Sequence, residues 1–144
     1  MKIIAPLLLA SSSLLSAIPV PAETVTVSFA VLGVRSEAGV LKSVLCTAQD
    51  NFPGDCPIRQ EIDAAQGVVN IEFQDVPPGE YAFAVFHDEN ANGQLDLSPT
   101  FLPKEGMAFG KDAMGRTGVP TFRQSAITLN EAGKHMVRMR YLSH

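Results

Sequence analysis

The chain has 144 residues, 46% of them hydrophobic, and a formal net charge of -4. That length suits one ordinary domain with a buried core of its own. The acidic balance and the absence of any Lys/Arg run argue against nucleic acid or an anionic membrane surface as partner.

Residues 1–22 read as a secretory signal peptide rather than as part of the fold. Met1-Lys2 is a short positive start, Ile3 to Leu15 is apolar apart from a few serines, and Val20-Pro21-Ala22 places compact residues before a cut after Ala22. The apolar run is too short and serine-rich to span a bilayer comfortably, so no membrane span is expected after cleavage. The expected location is periplasmic or secreted. Residues 23–144 then form one domain, slightly more acidic once Lys2 is lost.

From Thr24 to Val31 large apolar residues alternate with small or hydroxylated ones, the period of a half-buried strand. After the turn residues Glu37-Ala38-Gly39 comes a less regular strand-like run, Val40 to Thr47. Its end carries Cys46, and Cys56 follows ten positions on. An exported chain meets an oxidising compartment, so this even pair reads as one structural disulfide, contributing roughly 2.5 to 3 kcal/mol by loop entropy. The spacing is not C-x-x-C, and no second Cys or His pair is near enough to complete a zinc site.

Ile58 to Ala65 is a weaker strand candidate whose composition also permits a helical turn. Past Gln66-Gly67, Val69, Ile71 and Phe73 alternate with polar residues. Past Pro77-Pro78-Gly79, Tyr81, Phe83 and Val85 share one face, and Ala82, Ala84 and Phe86 the other. A further run spans Arg123 to Leu129. After Asn130-Glu131-Ala132-Gly133, Val137, Met139 and Tyr141 face one side and Met136, Arg138 and Arg140 the other. His135 reads as an exposed strand residue and His144 as a chain end. About seven short strands with turns between them predict an all-β, immunoglobulin-like antiparallel β-sandwich.

Glu89 to Thr121 lacks sustained alternation, which is long for a connection in a compact domain. Leu95, Leu97, Phe101, Leu102, Met107 and Phe109 within it predict an ordered excursion anchored on the sandwich. Its head resembles an oxygen-ligand calcium loop. Asp88, Asn90 and Asn92 occupy alternate positions, Gly93 follows for the sharp turn, Gln94 would offer its carbonyl, and Asp96 falls at the ninth position. The twelfth position is Pro99 rather than a bidentate Glu. Glu105 is therefore the candidate for the missing carboxylate, ahead of Asp112. Affinity would fall at about 10⁻⁴ to 10⁻³ M, the range of extracellular modules. The competing reading is structural: Asn92-Gly93 is a strong hairpin signal, and Asx side chains satisfy turn amides.

His87, just before the loop, would make an acid–base pair with Glu105 at the sandwich rim, or else serve as a structural histidine at a strand end. Arg116 would pair with Asp88 or Asp96 in a surface ion pair, or bind an anion.

The strings Pro77-Pro78-Gly79-Glu80-Tyr81-Ala82, Phe86-His87-Asp88-Glu89-Asn90-Ala91-Asn92-Gly93-Gln94-Leu95-Asp96, Pro103-Lys104-Glu105-Gly106 and Phe109-Gly110 resemble the bacterial domain-of-unknown-function family 2141. The resemblance runs across most of residues 23–144 and is strongest from Pro77 to Phe122. It implies an exported bacterial protein with an immunoglobulin-like sandwich, and it implies no activity. Phe109-Gly110-Lys111 departs from the Phe-Ser-Asn expected of the family, which removes any role that needs a polar side chain at Gly110. The Cys46 and Cys56 pair looks like a feature of a subgroup.

The sequence thus reads as a monomeric, non-enzymatic exported module that binds an envelope or extracellular partner or serves structurally, with calcium as its candidate cofactor. The alternative is a hydrolase-like enzyme using His87, Asp88 and Glu105. Fold class alone does not separate the two.

Overall fold

The computed structural model describes residues 2–6, 12–114 and 118–143. Arg116 and His144, singled out above, lie outside the described residues. Among the described residues none before Val25 belongs to a strand or helix, and no helix is long and apolar enough to cross a membrane.

Among the described residues eight strands form in chain order: β1 (Val25–Val34), β2 (Val40–Cys46), β3 (Ile58–Asp63), β4 (Gly67–Val76), β5 (Gly79–Asp88), β6 (Met107–Phe109), β7 (Ala126–Leu129) and β8 (Gly133–Arg138). They divide into a three-stranded sheet ordered β4-β1-β8 and a five-stranded sheet ordered β3-β2-β5-β6, with β7 also on β5. The all-β sandwich expected from the periodicity is what forms. One pairing departs from the antiparallel expectation: β8 runs parallel to β1, with Phe29 opposite His135 and Val31 opposite Val137.

The core lies where the alternation placed it. Val27, Phe29 and Val31 of β1, Ile71 and Phe73 of β4 and Val137 of β8 meet Leu41 and Leu45 of β2 and Tyr81, Phe83 and Val85 of β5. Phe29 and Phe83 stack across the two sheets with ring centroids 3.8 Å apart, and Phe73 meets both edge-on. Burying each such ring stabilises by roughly 2 to 3 kcal/mol. Tyr81 opens β5, and its hydroxyl donates to the Pro77 carbonyl at 2.8 Å. This is the local tie that pins a strand corner in sandwich domains. Burial, aided by the charge of Asp50, raises its phenol above the ordinary value.

One open alternative is decided and two local expectations change. Ile58 to Asp63 is an edge strand, not a helical turn. The run from Arg123 begins as a single helical turn, α1 (Phe122–Ser125), because Thr121 and Gln124 form a reciprocal capping box before β7 starts. His135 is half-buried rather than exposed, lying against Phe29 at 5.2 Å.

The long excursion is interrupted by β6, three buried residues that pair with β5. Of its expected anchors, Met107 and Phe109 are buried and Leu95 is half-buried. Leu97, Phe101 and Leu102 are exposed instead, on a turn closed by bonds to Ser98. The alternation rule had no purchase on that segment, since its backbone bonds are local ones. Cys46 and Cys56 are joined in a disulfide, both fully buried, with Cα atoms 5.0 Å apart. Gly110 has a steric reason to lack a side chain, because a Cβ there would lie 2.4 Å from the Ser125 carbonyl oxygen.

Candidate functional site

Strand β5 delivers consecutive residues to opposite faces. His87 points inward and Asp88 outward, at the end where the Asp88–Asp96 loop departs.

The inward His87 is fully buried and both ring nitrogens are committed. Nε2 donates to the Ala38 carbonyl at 2.7 Å, and Nδ1 accepts from the Tyr141 hydroxyl at 2.9 Å. That hydroxyl also accepts the Arg35 backbone N–H at 3.0 Å. This corrects the acid–base reading of His87 with Glu105: the imidazole is a satisfied core group, and Asp88 lies on the other side of the strand. Around it sits a cluster that the sequence did not announce. The Arg35 guanidinium lies 4.3 Å from the Tyr141 ring centroid and makes a two-pronged contact with the Glu89 carboxylate. Burial works to raise the Glu89 carboxyl, but the bonds and charge of Arg35 outweigh it and hold Glu89 below the usual range. Burial raises the Tyr141 phenol.

The outward Asp88 is also fully buried, as the hub of its loop. Its Oδ1 accepts the Asn92 N–H at 3.1 Å and its Oδ2 the Gly93 N–H at 2.8 Å. Asn90 and Asn92 accept backbone N–H groups two residues on. Their side-chain amides converge on the Asp96 carboxylate, at 2.7 Å from Asn90 and 3.0 and 3.1 Å from Asn92. Gly93 takes a left-handed backbone, with φ at 81°. The predicted ligands Asp88, Asn90, Asn92 and Asp96 are therefore brought together, in an Asx-turn arrangement.

Glu105 meets the backbone of the loop. It is 5% exposed, and its two oxygens accept the N–H of Glu89 at 3.0 Å and of Asp96 at 3.2 Å. One carboxylate thus clasps both ends of the loop. Burial raises its carboxyl above the usual value, and the charges of Asp88 and Asp96 add to the effect against the two N–H bonds. Among the described residues, no three His, Cys, Asp or Glu side chains are grouped to hold a metal. A cation in the loop requires the Asn90 and Asn92 amides to turn their oxygens inward, a half-turn that leaves side-chain shape unchanged.

The loop also walls a cavity of about 610 Å³ on the outer face of the larger sheet. Val44, Ala84, Phe86, Met107 and Phe109 form its floor. Gly93 and Leu95 form one wall, Pro53 and Gly54 of the disulfide loop another, and Lys42, Arg59 and Glu61 the β3 side. That volume lies in the range of small-molecule sites, and the floor is apolar as such sites are. The sequence reading missed this cavity. Its one signal was that β5 is apolar on both faces, so its outer side also needed cover.

The family model described as "Uncharacterized protein conserved in bacteria (DUF2141)" matches residues 29–137. The chain belongs to this family. The matched span runs from β1 into β8 and contains both the clasped loop and the cavity floor of this DUF2141 member. Comparison with curated proteins and with solved structures gives no match.

Proposed function

We propose that this chain is an exported, monomeric binding module whose ligand occupies the cavity beside the Asp88–Asp96 loop. The observation that carries the reading is a cavity of small-molecule size whose apolar floor, with Val44, Ala84 and Phe86, stands on the paired strands β2 and β5. Export is read from the signal-like character of residues 1–22. Rigid elements hold a site more closely than loops do, and here only the walls are loops. In the chain recovered from the envelope or the medium, beginning at Glu23, the neutral dye Nile red is expected to bind saturably, with one dye per chain. Val119→Trp, at the cavity mouth, and Ala84→Leu, on its floor, should each remove saturation while the melting transition is kept. Unsaturable dye uptake, or uptake unchanged in both variants, rules the reading out.

A second reading concerns the loop. Asp88 and Asp96 are drawn together by the loop, and Glu105, whose carboxyl is raised chiefly by burial, lies beside their negative charge. Calcium on Asp88, Asn90, Asn92 and Asp96, with the Gln94 carbonyl, would neutralise it and stiffen the cavity wall. At about 10 mM calcium, an affinity of the weak extracellular kind stabilises the native state by roughly 1.4 to 2.7 kcal/mol. The expected result is a melting temperature several degrees higher in calcium than in chelator. Equal melting temperatures would remove calcium from this account.

A further inference from the structure

The outward side chains of the larger sheet run from charge to hydrocarbon. In register across four strands stand Glu61, Lys42, Phe86 and Met107, and beside them Arg59, Val44, Ala84 and Phe109. The β3 end of the cavity is therefore charged and the β6 end apolar.

The two cations at the charged end differ. Lys42 is matched by the Glu61 carboxylate next to it. Arg59 is held chiefly by a neutral group: its Nε and Nη2 donate to the Cys56 carbonyl at 3.1 and 2.7 Å. Its acidic neighbour Asp55 stands 3.6 Å away with a side chain 92% exposed, a pairing that water screens strongly. A guanidinium oriented by a carbonyl keeps its charge and its remaining N–H donors for another acceptor. The disulfide-closed loop thus fixes a directed cation at the mouth of an apolar cavity.

We infer that the cavity takes a small amphipathic carboxylate, with its hydrocarbon body over Phe86, Met107 and Phe109 and its carboxylate on Arg59. This rests on the cavity being a binding site at all. Carboxylate is the head group that a planar guanidinium fork matches best among small anions of one charge. The hydrocarbon contributes by burial, so each methylene removed should weaken binding by roughly fourfold.

Displacement of Nile red by dodecanoate, dodecanol and dodecyltrimethylammonium, all below micelle-forming concentrations, separates head from tail. Dodecanoate is expected to compete about fivefold more tightly than the other two, the upper end for an exposed ion pair, because the Arg59 side chain is 59% exposed. Arg59→Gln should erase that preference, read as the ratio of the three compounds' inhibition constants within the variant so that any change in Nile red affinity cancels. Arg59→Lys should restore part of it, and melting curves report whether each variant is folded. Equal competition by all three compounds, or a preference that survives in Arg59→Gln, overturns the carboxylate assignment and leaves the cavity standing. Failure of Nile red itself to saturate overturns the cavity reading and this inference with it.

Discussion

Gly39→Ala is expected to destabilise the domain by about 2 to 5 kcal/mol, the sum of a left-handed backbone penalty and overpacking. Gly39 sits in the turn between β1 and β2 with φ at 69°. A Cβ there would lie 1.9 Å from the Asp88 carbonyl oxygen and 2.8 Å from the carbonyl carbon and oxygen of Glu89. These are backbone atoms at the root of the loop, so no side-chain rotation relieves the clash. Either the turn or the Asp88–Glu89 peptide must move, and the second choice disturbs the N–H bonds that Asp88 and Glu105 accept. For a domain of this length the cost corresponds to a fall in melting temperature of about 8 to 20 °C. Denaturant unfolding monitored by far-ultraviolet circular dichroism reads it. A loss below about 1 kcal/mol would mean that the loop root is free to shift, contrary to the packing described.

Glu105→Ala is expected to cost about 2 to 3 kcal/mol, with its effect concentrated on the loop. Two backbone N–H groups, of Glu89 and Asp96, lose a charged acceptor together. The loss is partly offset because the carboxylate no longer lies buried beside Asp88 and Asp96. Amide hydrogen exchange should accelerate at Glu89 and Asp96, and Nile red affinity should fall as Gly93 and Leu95 loosen. Unchanged exchange at both amides would contradict the clasp. The pH dependence has a definite sign. Glu105 titrates above its ordinary 4.5, so its contribution to stability is present below that value and is lost as pH rises through the folded value. Glu89 titrates below 4.5, and its contribution is present above that value and lost as pH falls through the folded one. Glu105→Gln should therefore flatten the decline on the alkaline side of 4.5 and leave the acid limb, which belongs to Glu89, in place.

Much of the fold was legible in residue order. The alternation in Val27, Phe29, Val31 and in Tyr81, Phe83, Val85 assigns each strand an inner face without reference to any partner, and both faces proved buried. The loop was legible in outline for the same local reason: Asx residues at alternate positions and a glycine specify a tight turn through their own backbone. Glu105 was found for its charge and proximity, but its role was not readable. Whether its oxygens meet a cation or two amides depends on where residues 89 and 96 sit in space. Residue order leaves His87 between an acid–base role and a structural one, because a histidine at a strand end looks alike whether its ring faces rim or core. Only the contacts with Ala38 and Tyr141, distant in sequence, decide it.

The residues themselves therefore determine the strand faces, the disulfide partners and the Asp88–Asp96 turn, since each rests on spacing, covalent chemistry or hydrogen bonds a few residues long. Tertiary structure alone decides the parallel docking of β8 on β1 and the clasp of Glu105 across the loop ends. It alone also joins Arg59, Phe86 and Phe109 around one cavity. Those features depend on groups from separate segments that folding brings together, a relation that no short window along the chain contains.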